Sequence, residues 1–434
     1  MNPQRGFVAL LMMVLVAVGV FGAMAAWVAK EPPRSKQSIN QEVLAQAREA
    51  LLAYVAVSDG TTASMSYSKT RLPCPDRIGD GVADISNCRA NGETVAGLLP
   101  WSTLGLPPLR DADGECLWYA VSGDFKNAAS ASNVVNADTT GVITVVDEVG
   151  NTLASQVVAV VFAPGMNLTQ QARNAMTGGA DKPCATPGSN AVTDASIYLD
   201  TIVVSGRPPI DNAQPAAAAS APVTFAQSAG PAAKQLQLND QLAWITTEDY
   251  AAAATLRNAE VLKKLFKTAV GDPRFDGLQP FAADVPGGIC KPNLYSGFLP
   301  RSCPYTNAAG TTITFTLDPV PSEAMSDHWH ELAFYAVTPG CAFNAVSFSC
   351  DTTSGTALLA LPKNPTAKAV LLMRGRQPSP NCPATTAATE FDKWLPCIEG
   401  TNQTALSNPT TVRTRVFVTP DKRPISNDVL KELP

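Results

Sequence analysis

The chain has 434 residues, a formal net charge of −5 and only 16% charged residues, against 35 prolines and 29 glycines. That length suffices for two domains, and the Pro and Gly content favours short strands joined by turns over a large helical protein. The acidic balance without a Lys/Arg cluster excludes a nucleic-acid-binding face, and the lack of a P-loop or G-x-G-x-x-G excludes an assembly ATPase.

Taken in chain order, a short basic leader from Met1 to Arg5 ends at Gly6. Residues 7–29, FVALLMMVLVAVGVFGAMAAWVA, then run without a charge until Lys30. As a helix rising about 1.5 Å per residue, this stretch is long enough to cross a hydrocarbon layer of about 30 Å. The leader carries Arg5 and no acid, so the positive-inside bias holds it in the cytoplasm and exports residues 31–434. Three readings follow: an uncleaved signal anchor, a secretory signal cut after Ala23-Met24-Ala25, or a prepilin leader cut after Gly6.

Residues 4–17, QRGFVALLMMVLVA, resemble the start of a type IV pilin or type II secretion pseudopilin. The resemblance implies cleavage after Gly6 by a prepilin peptidase and methylation of the new N-terminal Phe7. It also implies storage of the apolar helix in the inner membrane, and assembly against the helices of other pilins or pseudopilins. The family has Glu at the fifth mature position; Leu11 stands there, which is similar to minor, tip-located subunits.

Pro32-Pro33 ends or kinks the first helix. Residues 39–57 read as a second helix, with Leu44, Ala47, Leu51 and Val55 on one face. Loop residues 71–88 (RLPCPDRIGDGVADISNC) follow, then strands at Leu117–Val121, Val142–Val146, Val157–Phe162 and Ile202–Val204. The series RLPCPD, GDG, GLLPW, TLGL and LWYAVS is similar to a group of bacterial pilin-like proteins, over about residues 4–165.

The second half echoes the first in order. A helix over 244–270 places Leu256, Ala259, Leu262 and Phe266 on one face. CKPNLYSGFLP (290–300) echoes CRANGETVAGLLP (88–100), HELAFYAVTPG (330–340) echoes GECLWYAVSG (114–123), and NDVL (427–430) echoes NDQL (239–242). No second LPCPD-GDG segment stands out. The expected fold is α+β: an N-terminal transmembrane or filament helix, then two tandem pilin-like units. Each unit is an amphipathic helix plus a small, mainly antiparallel sheet with disulfide-stapled loops. The boundaries are a leader over 1–6, a membrane or filament-core helix over 7–30, a first head domain over 31–204, an Ala/Pro/Ser-rich linker over 205–243 and a second head domain over 244–434.

Ten cysteines in an exported chain point to disulfides. Four lie in the first half and six in the second, and no CxxC occurs. Nearest-neighbour order gives Cys74–Cys88, Cys116–Cys184, Cys290–Cys303, Cys341–Cys350 and Cys382–Cys397.

Asp76, Asp80 and Asp84 in PDRIGDGVAD have the oxygen-rich, Gly-turn character that wraps calcium, and the pseudopilin resemblance implies such loops. Arg77 and Ile78 break the EF-hand spacing, and an Asx-capped turn explains the same residues. A structural calcium ion is the one cofactor considered, and none is required. His328 and His330, at i and i+2 of an expected strand, are read as a metal pair or as two hydrogen-bonding strand residues. Trp101, Trp118, Tyr119, Phe334 and Tyr335 form a ligand-binding surface or, because they hold equivalent places in the two halves, core. There is no G-x-S-x-G elbow and no histidine in the first half. The resemblance over residues 4–165 implies a non-enzymatic minor pilin or pseudopilin-like subunit. Its partners are other pilins, the prepilin peptidase and the bacterial inner membrane, not nucleic acid. The N-terminus is cytoplasmic and the head periplasmic, or extracellular within a filament. The alternatives are a signal-anchored binding protein or adhesin, or a secreted hydrolase.

Overall fold

A computed structural model describes residues 35–57, 70–127, 134–228, 237–317, 328–343, 350, 359–376, 389–417 and 428–434. Within those ranges, 87, 89–91, 170, 172, 174–178, 186–193, 214–220, 363, 365, 399 and 412–414 are left out. Gly6, Phe7 and the apolar stretch 7–29 lie outside the described residues.

Helix α1 (Lys36–Val57) buries Leu44, Ala47, Leu51 and Val55, the face that the three- and four-residue spacing selects. Strands β1 (Val95–Leu98), β2 (Trp118–Val121), β3 (Ile143–Asp147), β4 (Thr152–Ala163), β7 (Val223–Gln227) and β8 (Gln241–Thr246) form a six-stranded sheet. Its order is β1-β2-β4-β3-β7, with β8 also on β4. The β3–β7 pair is parallel and the others are antiparallel. β5 (Thr201–Ile202) and β6 (Ile210–Asp211) make a separate two-stranded ribbon.

Helix α2 (Thr247–Val270) begins directly after β8. Thr246 caps it, accepting from the Asp249 N–H while the Asp249 carboxylate accepts from the Thr246 N–H. Strands β9 (Ser296–Phe298), β12 (Ala333–Val337), β14 (Ala369–Met373) and β16 (Val429–Leu433) form an antiparallel sheet in the order β16-β14-β12-β9. β10 (Ser302–Thr306) and β11 (Thr312–Thr316) form a hairpin, and β13 (Leu359–Ala360) pairs in parallel with β15 (Arg415–Val416). Short helices α3 (Glu390–Trp394) and α4 (Gly400–Leu406) complete the described strands and α-helices.

The central strands β2 and β12 are buried on both faces, which is why they read as unbroken apolar runs rather than alternating ones. Tyr119, Val121, Tyr335 and Val337 face one shared core with Leu51 of α1 and Leu262 of α2. Trp118 and Ala120 face the opposite side with Tyr198 and Phe225. Phe334 and Ala336 face a third cluster with Phe391 and Leu406. Helix α2 joins the two sheets. Near its start the Tyr250 ring meets Phe125 edge-on at 4.8 Å, and near its end the Phe266 ring lies 5.6 Å from Tyr335. Leu256 is on the other side, 44% exposed, and so leaves the expected apolar face.

These observations overturn the α+β expectation. The described chain is mostly β, with sixteen strands against four α-helices. No helix among the described residues is long and apolar enough to cross a membrane. The halves are not two small-sheet units separated by a linker. Strands β7 and β8 include residues of the expected linker and build the first sheet, and Trp244, placed in the second helix by sequence, sits in β8 opposite Val160. One core runs across both halves because α2 supplies apolar surface to each.

A local pattern does recur between the sheets. The Tyr119 hydroxyl donates to the Pro73 carbonyl at 3.2 Å, and the Tyr335 hydroxyl donates to the Pro280 carbonyl at 2.9 Å. Tyr119 sits opposite Gly97 and Tyr335 opposite Gly297. Leu242 in β8 pairs with Phe162, and Leu430 in β16 pairs with Leu372.

Cross-contacts tie the loop at residues 135–139 to the second half. Fully buried Trp329 donates through Nε1 to the Val135 carbonyl at 3.1 Å, and buried Arg374 pairs with Asp138. Among the described residues four disulfides have both partners: Cys74–Cys88, Cys116–Cys184, Cys290–Cys303 and Cys341–Cys350. Cys397 is also disulfide-bonded; Cys382 lies outside the described residues.

Truncating Trp329 removes a buried ring and its hydrogen bond to the Val135 carbonyl together. Trp329→Ala should lower stability by about 3–5 kcal/mol, while Tyr119→Phe and Tyr335→Phe should each cost about 1 kcal/mol. Urea unfolding of the three variants measures this.

Candidate functional site

The segment 71–84 is shaped by one side chain. Asp76 is fully buried, and its backbone exchanges both hydrogen bonds with Leu98 of β1. Its Oδ1 accepts from the N–H groups of Ile78 and Gly79, at 2.9 and 2.8 Å, and its Oδ2 from the N–H of Gly81 at 2.7 Å. The turn needs glycine where it packs closely. Gly79 has φ +81° and lies against the Cys184–Ala185 backbone, and Gly81 has φ +80° and lies under the Trp101 ring. Asp80 closes a smaller turn by accepting from the Val82 N–H, and the Asp84 N–H donates to the Pro75 carbonyl. The three aspartates thus serve different parts of the turn. Among the described residues no three His, Cys, Asp or Glu side chains gather as a cation site. Burial pushes the Asp76 carboxyl up to about 6, against the pull of its three backbone donors.

The second half carries this segment after all, at 278–291. The Ala283 backbone exchanges both hydrogen bonds with Phe298 of β9, as Asp76 does with Leu98. The Lys291 N–H donates to the Ala282 carbonyl, as Asp84 does to Pro75, so the two turns have equal length. Sequence reading missed the match because the organising aspartate is replaced by Ala283. The remaining signal is the Pro280, Val285 and Gly287-Gly288 spacing, which copies Pro73, Ile78 and Asp80-Gly81.

His328 and His330 do not sit in a strand. His328 has φ +57° and caps a 3-10 turn over Trp329–Leu332, its Nδ1 lying 2.7 Å from Glu331 Oε1. The His328 and His330 ring centroids lie 6.2 Å apart, and Trp329 between them in sequence is fully buried. Of the five singled-out aromatics, Trp118, Tyr119, Phe334 and Tyr335 are buried in the cores, and Trp101 is half-buried over Gly81.

A carboxylate cluster that sequence reading did not single out lies beside β8. Asp240, just before the strand, is fully buried, and Asp200 is nearly so. Each caps the other: the Asp200 N–H donates to Asp240 Oδ2 at 2.9 Å, and the Asp240 N–H donates to Asp200 Oδ2 at 3.1 Å. Asn212 donates to Asp240 Oδ2 at 2.8 Å and exchanges two hydrogen bonds with the Ala226 backbone, pairing like a strand along the β7 edge. Gln171 donates to Asp200 Oδ1 at 2.8 Å. The Arg173 guanidinium, donating to the carbonyls of Pro164, Gly165 and Tyr198, supplies the nearby positive charge. Asp240 Oδ1 has no hydrogen-bond partner among the described residues. Burial pushes Asp200 up to about 6, and burial with the Asp200 charge pushes Asp240 well above the usual carboxylate range. The cluster locks loops and strand ends together, and it holds protons at pH values where exposed carboxylates have lost theirs.

A cavity of about 320 Å³ opens on the far side of the second sheet, between the 284–291 turn, β9, α3 and residues 409–410. No family model, no curated protein and no solved structure matches the chain.

The raised pKa values set a sign. Folded Asp76, Asp200 and Asp240 bind protons more tightly than in the unfolded chain, so their stabilising contribution is complete at low pH. It is lost as pH rises from about 4 through about 6, and higher for Asp240. Urea midpoints at constant ionic strength should fall over that window, and Asp240→Asn, which mimics the protonated acid, should flatten the fall.

Proposed function

We propose that the chain is a non-enzymatic minor pilin or pseudopilin-like subunit. A prepilin peptidase processes it between Gly6 and Phe7, and it is held in the bacterial inner membrane through residues 7–29 until those residues join a filament core. One observation carries the reading. The 23 residues from Phe7 to Ala29 hold no charge and follow Arg5-Gly6, the local chemistry a prepilin peptidase cuts. The four disulfides support it, since paired cysteines persist in an oxidising compartment such as the periplasm. The physical step is an exchange of environments. In the bilayer the apolar segment is solvated by lipid tails; in a filament the same surface packs against equivalent segments of other subunits, and no charge has to be desolvated. Leu11 in place of the family's Glu removes the acid that pairs with a neighbouring subunit's N-terminus, which fits a low-copy or tip position.

Mass spectrometry of the mature N-terminus from the native host tests this. The expected result is N-methyl-Phe7. An intact Met1 would instead make the chain a signal-anchored binding protein or adhesin, and a start at Ala26 would make it a secreted protein without the apolar segment.

A further inference from the structure

The two matched turns differ in what lies beneath them. In the first, the Asp76 carboxylate ties down three N–H groups and the Cys184–Ala185 chain packs on Gly79. In the second, Ala283 has no carboxylate to give, Pro286 stands at the Gly79 position, and a cavity of about 320 Å³ remains between the turn and α3. That volume is at the lower end of small-ligand sites. Its apolar wall comes from Val285, Leu294, Phe391 and Pro409. Leu294 and Phe391 are anchored in the cores at 6% and 4% exposure, so the wall is preformed.

The charge on the lining is one-sided. Asp284, Glu390 and Asp392 bring three carboxylates, and Lys291 brings the single ammonium, already 3.1 Å from Asp284. Asp392 uses Oδ2 to accept from the Thr389 hydroxyl, which caps α3. Glu390 has a loose contact at 3.7 Å with Lys393, outside the lining, and is half exposed. The Ser296 hydroxyl is spent on the Leu406 carbonyl. An anion entering here would meet a surplus of negative charge, whereas a cation on a short apolar body would satisfy both the acid rim and the apolar wall.

We propose that this cavity is a binding site for a small organic cation, an amine or guanidine carried on an apolar body, with Glu390 as the principal charge partner and Val285 and Phe391 holding the body. The site is independent of how the N-terminus is processed.

Isothermal titration of the full chain in detergent with phenethylammonium chloride tests it, with phenylpropionate as the matched anion. Saturable one-to-one binding of the ammonium, with at least tenfold weaker binding of the anion, is expected. Glu390→Gln should weaken the ammonium at least fivefold, and Val285→Trp, which fills the mouth from a 43%-exposed position, should abolish binding. Both variants are checked for an unchanged thermal midpoint, and Val285→Leu serves as a second filling variant if Val285→Trp unfolds. No saturable binding, equal binding of the anion, or binding that survives both the Glu390 and the filling variants would overturn the assignment.

Discussion

Everything in this fold depends on two strands that must be buried on both faces. β2 and β12 place a tyrosine and a valine toward the helices and a large aromatic and an alanine away from them. Neither face of such a strand tolerates water, so each sheet needs a cover on both sides. Helix α2 meets part of that need for both sheets, and this is what makes one body of two similar strand paths. The buried tyrosine hydroxyls create a further demand, since an unpaired O–H in a dry core is costly. The carbonyls of Pro73 and Pro280 meet it, and in doing so they position the two turns that follow.

From those turns the halves diverge. Where the first keeps a buried aspartate, the backbone wraps around the carboxylate and the turn becomes part of the packing. Where the second has alanine, its turn is anchored by Cys290–Cys303 and by backbone pairing of Cys290 with Ser302, and Asp284 and Val285 beside that alanine line a cavity with an acid rim. The same chemistry, a carboxylate near a Gly-rich turn, is thus structural in one half and exposed in the other. Ahead of the last strand of each sheet the halves stay alike: buried Asp240, paired with Asp200, staples the start of β8, and buried Asp428, ahead of β16, accepts from the Gly375 N–H.

Much of this was legible in the residues. The helix at 39–57 and the strands around Leu117, Val142 and Val157 form where apolar spacing placed them, and the four described cysteine pairs follow nearest-neighbour order. The acid-turn reading of Asp76 matches its backbone bonds. Other features were hidden for physical reasons. WIT at 244–246 reads as helix because the helical pattern runs on from it, yet its backbone pairs with β4 before Thr246 caps α2. Leu256 fits the apolar period but faces outward. The β7 addition in parallel to β3 depends on contacts distant in sequence that no local pattern encodes. The second turn was invisible because its organising side chain is gone while its backbone pairing persists, and the cavity emerges only when α3, more than a hundred residues away, packs beside it.

Helix α2 makes the two sheets one cooperative unit. Urea unfolding of the oxidised full chain, followed in parallel by tryptophan fluorescence and by far-ultraviolet circular dichroism, tests it most directly. A single coincident transition, shifted as a whole by Phe266→Ala, is the predicted result. Two separated transitions, only one of which moves with Phe266→Ala, would contradict the account.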